Sequence, residues 1–370
     1  MKPRILSAIW LLVLVGAASA QVAPDQIDVI FPSLKSSNAP GAAVLVVDKG
    51  KPVFRRGYGV TDLRTRSPID SHTDFRLASF TKQFTATCIM RLVHDGKLRY
   101  DDHLTDIFPE FPEYGKLITI RNLLNHTSGL PDYEDLLMKQ YRNTPEDKIP
   151  QILDAGVLKL LEQQTAGQFP PGSKWQYSNS GYAVLAMVVE KVSGESFGQF
   201  LHDRIFAPLK MNSTLAYEKG KNEVPHRAYG HTKQQDGRWR ETDQSPTSAV
   251  LGDGGIYTSI DDLEKWDRAL REHILLSEAE MQAALTPVQP TGGPGKFQSG
   301  KPVSYGFGWF LDPYYGHRRM HHDGETVGFR TTIQRFPDDN LTIIVLANRA
   351  DADPEALALK VADLYFQKKP

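Results

Sequence analysis

The sequence predicts an α/β (α+β) fold, an antiparallel sheet flanked by helices and carrying a large, mainly helical insertion. Three observations predict it. A hairpin pattern stands near the N-terminus, strand patterns return only towards the C-terminus, and the stretch between them reads as helices broken by Pro- and Gly-containing loops.

Each element has a local reason. After a helical pattern from Pro24 to about Ser36, the run from Gly41 to Val47 has strand character, Asp48-Lys49-Gly50-Lys51 turns the chain, and Pro52 to Val60 returns as a second strand. The first sheet element is thus an antiparallel hairpin and not a βαβ unit. From Thr81 to about Gly96, Phe84, Cys88, Ile89, Leu92 and Val93 recur at helical spacing, and Asp95-Gly96 ends the run. Helices are expected from about Leu98 to Leu285. Strands follow at Tyr305 to Leu311, Arg318 to His322, Thr326 to Phe336 and Leu341 to Ala347, the last two joined by Pro337-Asp338-Asp339-Asn340. A helix from about Pro354 to Phe366 closes the chain. No repeat or long linker divides it, so residues 21–370 are expected to form one domain. Its sheet lobe comes from about 25–80 and 300–370, and its helical lobe from about 81–299.

Composition excludes several classes of function. The 370 residues are 40% hydrophobic and 24% charged, an ordinary globular balance. Forty-three Lys and Arg against 44 Asp and Glu leave a net charge of −1, with no basic excess to neutralise a phosphate backbone, so no nucleic-acid partner is expected. The one cysteine, Cys88, cannot form an intramolecular disulfide and reads as a small core residue. At the N-terminus, Lys2 and Arg4 precede the apolar run Ile5 to Val15 and then Ala18-Ser19-Ala20, the pattern of a secretory leader cleaved after Ala20. The run is shorter than the ~20 apolar residues that span a bilayer, so the expected location is secreted or periplasmic, with no stable membrane anchor after cleavage.

Chemistry is concentrated in three short segments. Ser79-Phe80-Thr81-Lys82 is a Ser-x-x-Lys, and on a helix the i,i+3 spacing brings the hydroxyl and the ammonium to one face. A serine hydroxyl needs a neighbouring base, and a lysine can serve directly or by favouring the ionised form of a third group. Tyr177-Ser178-Asn179 offers that group: a phenol able to pass a proton, and two residues on an amide that donates and accepts. Read alone, it is better taken as a loop tyrosine with Asn179 capping the next helix, from Ser180 onward. His322-Asp323-Gly324-Glu325 follows at a strand end, where a glycine permits close backbone approach and an exposed N–H can complete an oxyanion hole. His321, His322, Asp323 and Glu325 are potential ligands, but with neither His-Glu-x-x-His nor a cysteine cluster no metal is expected, and no cofactor either.

In this order and separation, the three segments resemble the serine β-lactamase and penicillin-binding protein superfamily, specifically the class C β-lactamase-like branch that also holds esterases and D-amino-acid peptidases. Ser-x-x-Lys is its nucleophile motif, and Tyr177-Ser178-Asn179 is similar to the branch's Tyr-x-Asn. Leu123 to Pro131, Gly252 to Tyr257 and Val345 to Arg349 match in context, so the likeness spans roughly residues 25 to 365. The resemblance implies a β-lactamase/DD-peptidase-like fold and a serine hydrolase working through an acyl-enzyme. Ser79 would be acylated, Lys82 would hold the proton network, and Tyr177 would be base and then acid. Asn179 would orient substrate, and the N–H groups of Ser79 and Glu325 would form the oxyanion hole, with His322 and Gly324 on the substrate wall.

The chain departs from the Lys-Thr-Gly of lactamases and carboxypeptidases by carrying His322-Asp323-Gly324. An Asp323 carboxylate aimed into the cleft would repel a substrate carboxylate, with Arg330 or a cationic His322 as possible compensation. It would equally suit a substrate ammonium. The expected substrates are small molecules or short peptides, esters or amides; the alternative is a slow-turnover penicillin-binding receptor or sensor.

Overall fold

A computed structural model describes residues 22–296 and 300–366. The leader and its cleavage point lie outside the described residues.

The first strand, β1 (Ala42–Asp48), is buried from Ala42 to Val47, as a central strand covered on both faces must be. It pairs antiparallel with β2 (Lys51–Tyr58) through a register that sets Asp48 opposite Lys51. The two-residue turn Lys49-Gly50 has positive φ at both positions, 50° and 76°, the geometry that matches the twist of the flanking strands. The other three strands come from the end of the chain: β3 (Met320–Thr326), β4 (Phe329–Phe336) and β5 (Leu341–Ala347). Their order is β2-β1-β5-β4-β3, every pair antiparallel, so β5 lies beside β1 and β3 forms one edge.

The two faces of the sheet bury separate cores. Val44, Val46, Ile343 and Val345 pack against the helices α1 (Pro24–Asp28) and, at the end of the chain, α7 (Pro354–Tyr365). Ala43, Leu45, Ile333, Ile344 and Leu346 face the helical insertion. There α2 (Lys82–His94) and α5 (Asn179–Ser193) run through the middle, each almost wholly buried. Around them stand α3 (Tyr133–Gln140), α4 (Asp154–Glu162) and α6 (Ile260–Arg271), the last started by Ser259, which accepts the Asp262 N–H. Cys88 is fully buried in this core.

The structure corrects several expectations. Tyr305 to Leu311 is not a strand but a folded segment with isolated bridges from Tyr305 to Phe310 and from Phe310 to His321. The third motif lies inside β3, which continues to Thr326 and turns at Val327-Gly328, because Thr326 pairs with Phe329. The first helix stops at Asp28, and a separate 3₁₀ turn follows at Pro32–Leu34. A small sheet absent from the sequence reading joins Phe75–Arg76, Ile256–Thr258 and Leu215–Ala216; its strands of two or three residues are too short to leave a periodic pattern. Among the described residues, no helix is long and apolar enough to cross a membrane.

Candidate active site

Ser79 does not open the α-helix. It sits in a 3₁₀ turn, Ala78–Thr81, that runs directly into α2, with Lys82 as the first α-helical residue. Ala78 adopts the left-handed region at φ 50°, a conformation that costs a non-glycine residue about 1–2 kcal/mol and that recurs at functional turns. Ser79 remains partly accessible while its neighbours Phe80, Thr81 and Lys82 are buried.

The Lys82 ammonium is 0% exposed and uses all three donors: to Ser79 Oγ at 2.9 Å, Asn179 Oδ1 at 2.8 Å and the Asp253 carbonyl at 3.0 Å. A buried cation without such partners would be costly, and here every proton has one. The nitrogen also lies 4.9 Å from the centroid of the Tyr177 ring and 5.5 Å from that of Tyr182. Residues 79, 82, 177 and 179, close to 100 positions apart in sequence, thus meet around one ammonium.

Asn179 is the first residue of α5 and not its cap. Ser178 is the cap, accepting the Gly181 N–H at 3.1 Å, which leaves the Asn179 amide free to reach Lys82. Tyr177, just before the cap, packs its ring 4.4 Å from that of His126. His126 is fully buried and itself left-handed, φ 63°, and its Nδ1 accepts the Ser178 N–H at 3.1 Å. Burial drives its imidazolium form well below the usual range, so the ring is neutral. His126 therefore packs as a buried, neutral support against Tyr177.

On the opposite wall, β3 contributes His322 and Gly324 from one face of the strand. A Cβ built on Gly324 would lie 1.9 Å from the Leu77 carbonyl oxygen and 2.3 Å from Thr331 Oγ1, so only glycine lets the strand approach the turn that carries Ser79. The outer edge of β3 is set by His321, whose N–H and C=O exchange 2.9 Å bonds with Phe310. Backbone groups alternate along an edge strand, so the Glu325 N–H also points outward, on the edge that packs against the Ala78–Thr81 turn.

The cationic His322 is corrected. The ring is 1% exposed, its Nδ1–H donates to the Asp323 carbonyl at 2.7 Å, and its Nε2 accepts from the Tyr305 hydroxyl at 3.1 Å. Burial, then the Lys82 charge, pushes its pKa down to about 3, so it is neutral at any ordinary pH. Tyr305, 4.5 Å from His126 ring to ring, joins the two walls.

Asp323 does not face the cleft. Strand alternation turns it to the α7 side with Thr332 and Gln334, and its Oδ1 accepts from both side chains; burial pushes its pKa up to about 6. Arg330 is no compensating cation, since it pairs with Glu325 at 2.7 Å across the hairpin and donates to the Thr326 and Phe329 carbonyls.

The acidic group near the cleft is one the sequence reading missed. Glu134 Oε1 accepts from Asn179 Nδ2 at 3.2 Å, and burial, with the Asp253 charge next, raises its pKa. It is placed there because the Ser180 hydroxyl accepts the Tyr133 N–H at 2.9 Å and donates to the Pro131 carbonyl at 2.7 Å, fastening the start of α3 to the start of α5. Asp132 caps α3, and that Asp-x-Glu was the only local trace, indistinguishable from an ordinary helix start.

Comparison with known proteins agrees with this geometry. Residues 27–366 match the family model described as Beta-lactamase. The chain is 33% identical to Penicillin-binding protein 4* of Bacillus subtilis (strain 168) over 354 residues, 92% of this chain and 75% of that one. It is 27% identical over 329 residues to a D-aminopeptidase of Cereibacter sphaeroides, covering 88% of this chain and 60% of that longer protein. Its fold superposes on that of a penicillin-binding protein from Bacillus halodurans with a TM-score of 0.76 at 27% identity, over 92% and 99% of the two chains. It superposes equally on a D-amino acid amidase from Ochrobactrum anthropi SV3, TM-score 0.76 at 23% identity, over 92% and 99%. With its Ser-x-x-Lys, Tyr-x-Asn and glycine-bearing edge strand assembled around one cleft, the chain belongs to the Beta-lactamase family, within the serine β-lactamase and penicillin-binding protein superfamily.

Proposed function

We propose that the protein is a serine hydrolase that cleaves amides or esters of substrates carrying a free amino group, through an acyl-enzyme on Ser79. The observation that supports it most directly is the Lys82 ammonium held between Ser79 Oγ and Asn179 Oδ1. Tyr177, whose ring lies 4.9 Å from that cation, is the group that takes the Ser79 proton as Oγ attacks the substrate carbonyl. The oxyanion forms against the N–H groups of Ser79 and Glu325. Tyr177 then returns the proton to the leaving amine or alcohol, and in the second half-reaction it takes a proton from water as that oxygen attacks the acyl carbonyl, then gives it to Ser79 Oγ as the acyl bond breaks. Asn179 orients the substrate, and Gly324 keeps the β3 wall close. His322 contributes by holding Tyr305 and the strand rather than by charge.

The amine preference rests on Glu134, the carboxylate beside Asn179, which would pair with a substrate ammonium; the D-aminopeptidase relative is in keeping with it. The same carboxylate disfavours the carboxylate of a β-lactam, and neither Arg330 nor His322 supplies a balancing cation. A slow-turnover penicillin receptor remains the second reading because the 33% identical relative is a penicillin-binding protein. The leader pattern extends the proposal to an exported protein, secreted or periplasmic.

The test is kcat/KM for a D-amino-acid p-nitroanilide, its N-acetyl counterpart, a p-nitrophenyl ester and a chromogenic cephalosporin, with Ser79→Ala as control. Turnover of the free-amine anilide above its acetylated form, abolished in the control, is the expected result. A stoichiometric burst with the cephalosporin and no steady turnover of any substrate would favour the receptor. Activity unchanged in Ser79→Ala would remove the acyl-enzyme.

A further inference from the structure

Behind the cleft, on the face of β3 that turns towards α7, a group of side chains is left over from the chemistry above. His321 is 5% exposed, and its Nε2 bonds Asp312 Oδ1 at 2.6 Å. A carboxylate only accepts, so Nε2 carries a proton, and in the neutral ring Nδ1 is the nitrogen with a lone pair to offer. That Nδ1 is buried and has no hydrogen-bond partner. An unmet buried acceptor of this kind is unfavourable unless something occupies it.

Asp323 stands two residues along the same strand face, its Oδ1 taken by Thr332 and Gln334, which leaves Oδ2. Glu355, in the first turn of α7, comes from the other side and is held by Arg319 Nη1 at 3.3 Å. Potential ligand atoms of His321, Asp323 and Glu355 all lie within 4.8 Å of one another. The charges also fit a dication. Three carboxylates, Asp312, Asp323 and Glu355, face one guanidinium, Arg319, which pairs with Asp312 and Glu355. Counted with the neutral imidazole that metal coordination requires, these groups leave two negative charges for the cation.

We propose that His321 Nδ1, Asp323 and Glu355 form a zinc-type divalent cation site that ties the edge strand β3 to α7. One imidazole and two carboxylates are a ligand set that Zn²⁺ accepts at about 2.0–2.2 Å, leaving a fourth position for water. Asp312 on the far ring nitrogen is the outer partner expected of a metal-bound histidine, fixing its tautomer and orientation. Drawing the three ligands together would hold β3 in place at Asp323, the residue between His322 and Gly324. The site is therefore structural for the strand that forms the cleft wall, and it stands whether or not the proposed hydrolase activity does. The run His321 to Glu325 contains no complete ligand set by itself; the third ligand comes from a helix more than 30 residues later.

The test uses the full chain without a metal-binding tag, stripped with EDTA and titrated with ZnCl₂ by calorimetry, with thermal unfolding followed in parallel. One equivalent of Zn²⁺ should bind and raise Tm, with Asp312→Asn weakening affinity about 10- to 100-fold. Glu355→Gln and His321→Gln should abolish the stoichiometric event; Glu355→Gln, at a partly exposed helix start, keeps the test valid should the His321 variant fail to fold. Absence of one-to-one binding up to about 1 mM Zn²⁺ would overturn the proposal. So would equal binding by the wild-type and Glu355→Gln proteins, which would place the ion at a surface pair such as His94 and Glu280.

Discussion

Gly324 packs its α-carbon against the Leu77 carbonyl so closely that a methyl group there would lie 1.9 Å from the oxygen. Leu77 lies two residues before Ser79, and its carbonyl also accepts the Thr331 hydroxyl at 2.7 Å. This contact sets the distance between the Ser79 turn and the strand edge carrying the Glu325 N–H. Gly324→Ala should push the two apart and lower kcat/KM about 100-fold, since a displacement near 1 Å at a reacting centre costs that much. Steady-state kinetics with circular dichroism checks it; a folded Ala variant with wild-type kcat/KM would show that the strand does not shape the site.

Lys82 satisfies three acceptors at once, the Asp253 carbonyl among them buried, so its removal has a catalytic and a structural effect. Lys82→Ala should lower kcat about 10²- to 10⁴-fold, the range of general acid–base assistance. It also leaves the buried Asp253 carbonyl without this donor, a loss of about 1–3 kcal/mol read by urea unfolding. Activity retained within tenfold would assign the proton network elsewhere.

Glu134 should confer a pH dependence that belongs to the substrate's amine. Its pKa is raised, so the ionised form that pairs with an ammonium appears above the usual glutamate range and is lost on acidification. The ratio of kcat/KM for a free-amine substrate to its N-acetyl analogue should therefore rise with pH through that group's titration. In Glu134→Gln the ratio should fall about tenfold or more and become flat. A pH-dependent ratio that survives the substitution would transfer the recognition to another residue.

His126 holds the segment that carries Tyr177, being bonded to the Ser178 N–H and packed on the phenol ring. Asparagine tolerates the left-handed backbone at this position but lacks the ring. His126→Asn should lower kcat about tenfold with KM little changed, because the proton-transfer group is misplaced while substrate contacts remain. A rise in KM alone would contradict this.

Asp74, wholly buried and beside Asp262 and Asp70, has its pKa raised to about 7, chiefly by burial. In the unfolded chain the value is about 3.9. Between these limits the folded protein retains a proton that the unfolded one releases, so stability from this group declines as pH rises from about 4 to 7. Asp74→Asn should raise Tm relative to wild type at pH 8 and lose that advantage at pH 5. A difference in Tm independent of pH would show that Asp74 does not titrate in this window.

Much of this was legible in the chain because the signals are local. The hairpin at residues 42–58 follows from two apolar runs and Lys49-Gly50, and the Ser79 to Lys82 coupling from a spacing of three residues in helical backbone. Tyr177 and Asn179 were legible as a pair for the same reason. Short strands such as Phe75–Arg76 were not, since two residues carry no period and their existence depends on partners far away.

The sequence by itself determined the short motifs at Ser79, Tyr177 and Gly324 and the antiparallel sheet closed by distant ends of the chain, because covalent spacing and hydrophobic periodicity act over a few residues. Only the tertiary structure decided the orientation and charge of those groups. It turned Asp323 away from the cleft, kept His322 neutral, brought Glu134 to Asn179 and set Glu355 opposite His321. Strand register selects the face a side chain occupies, and burial selects its protonation; both depend on what packs against it from elsewhere in the fold.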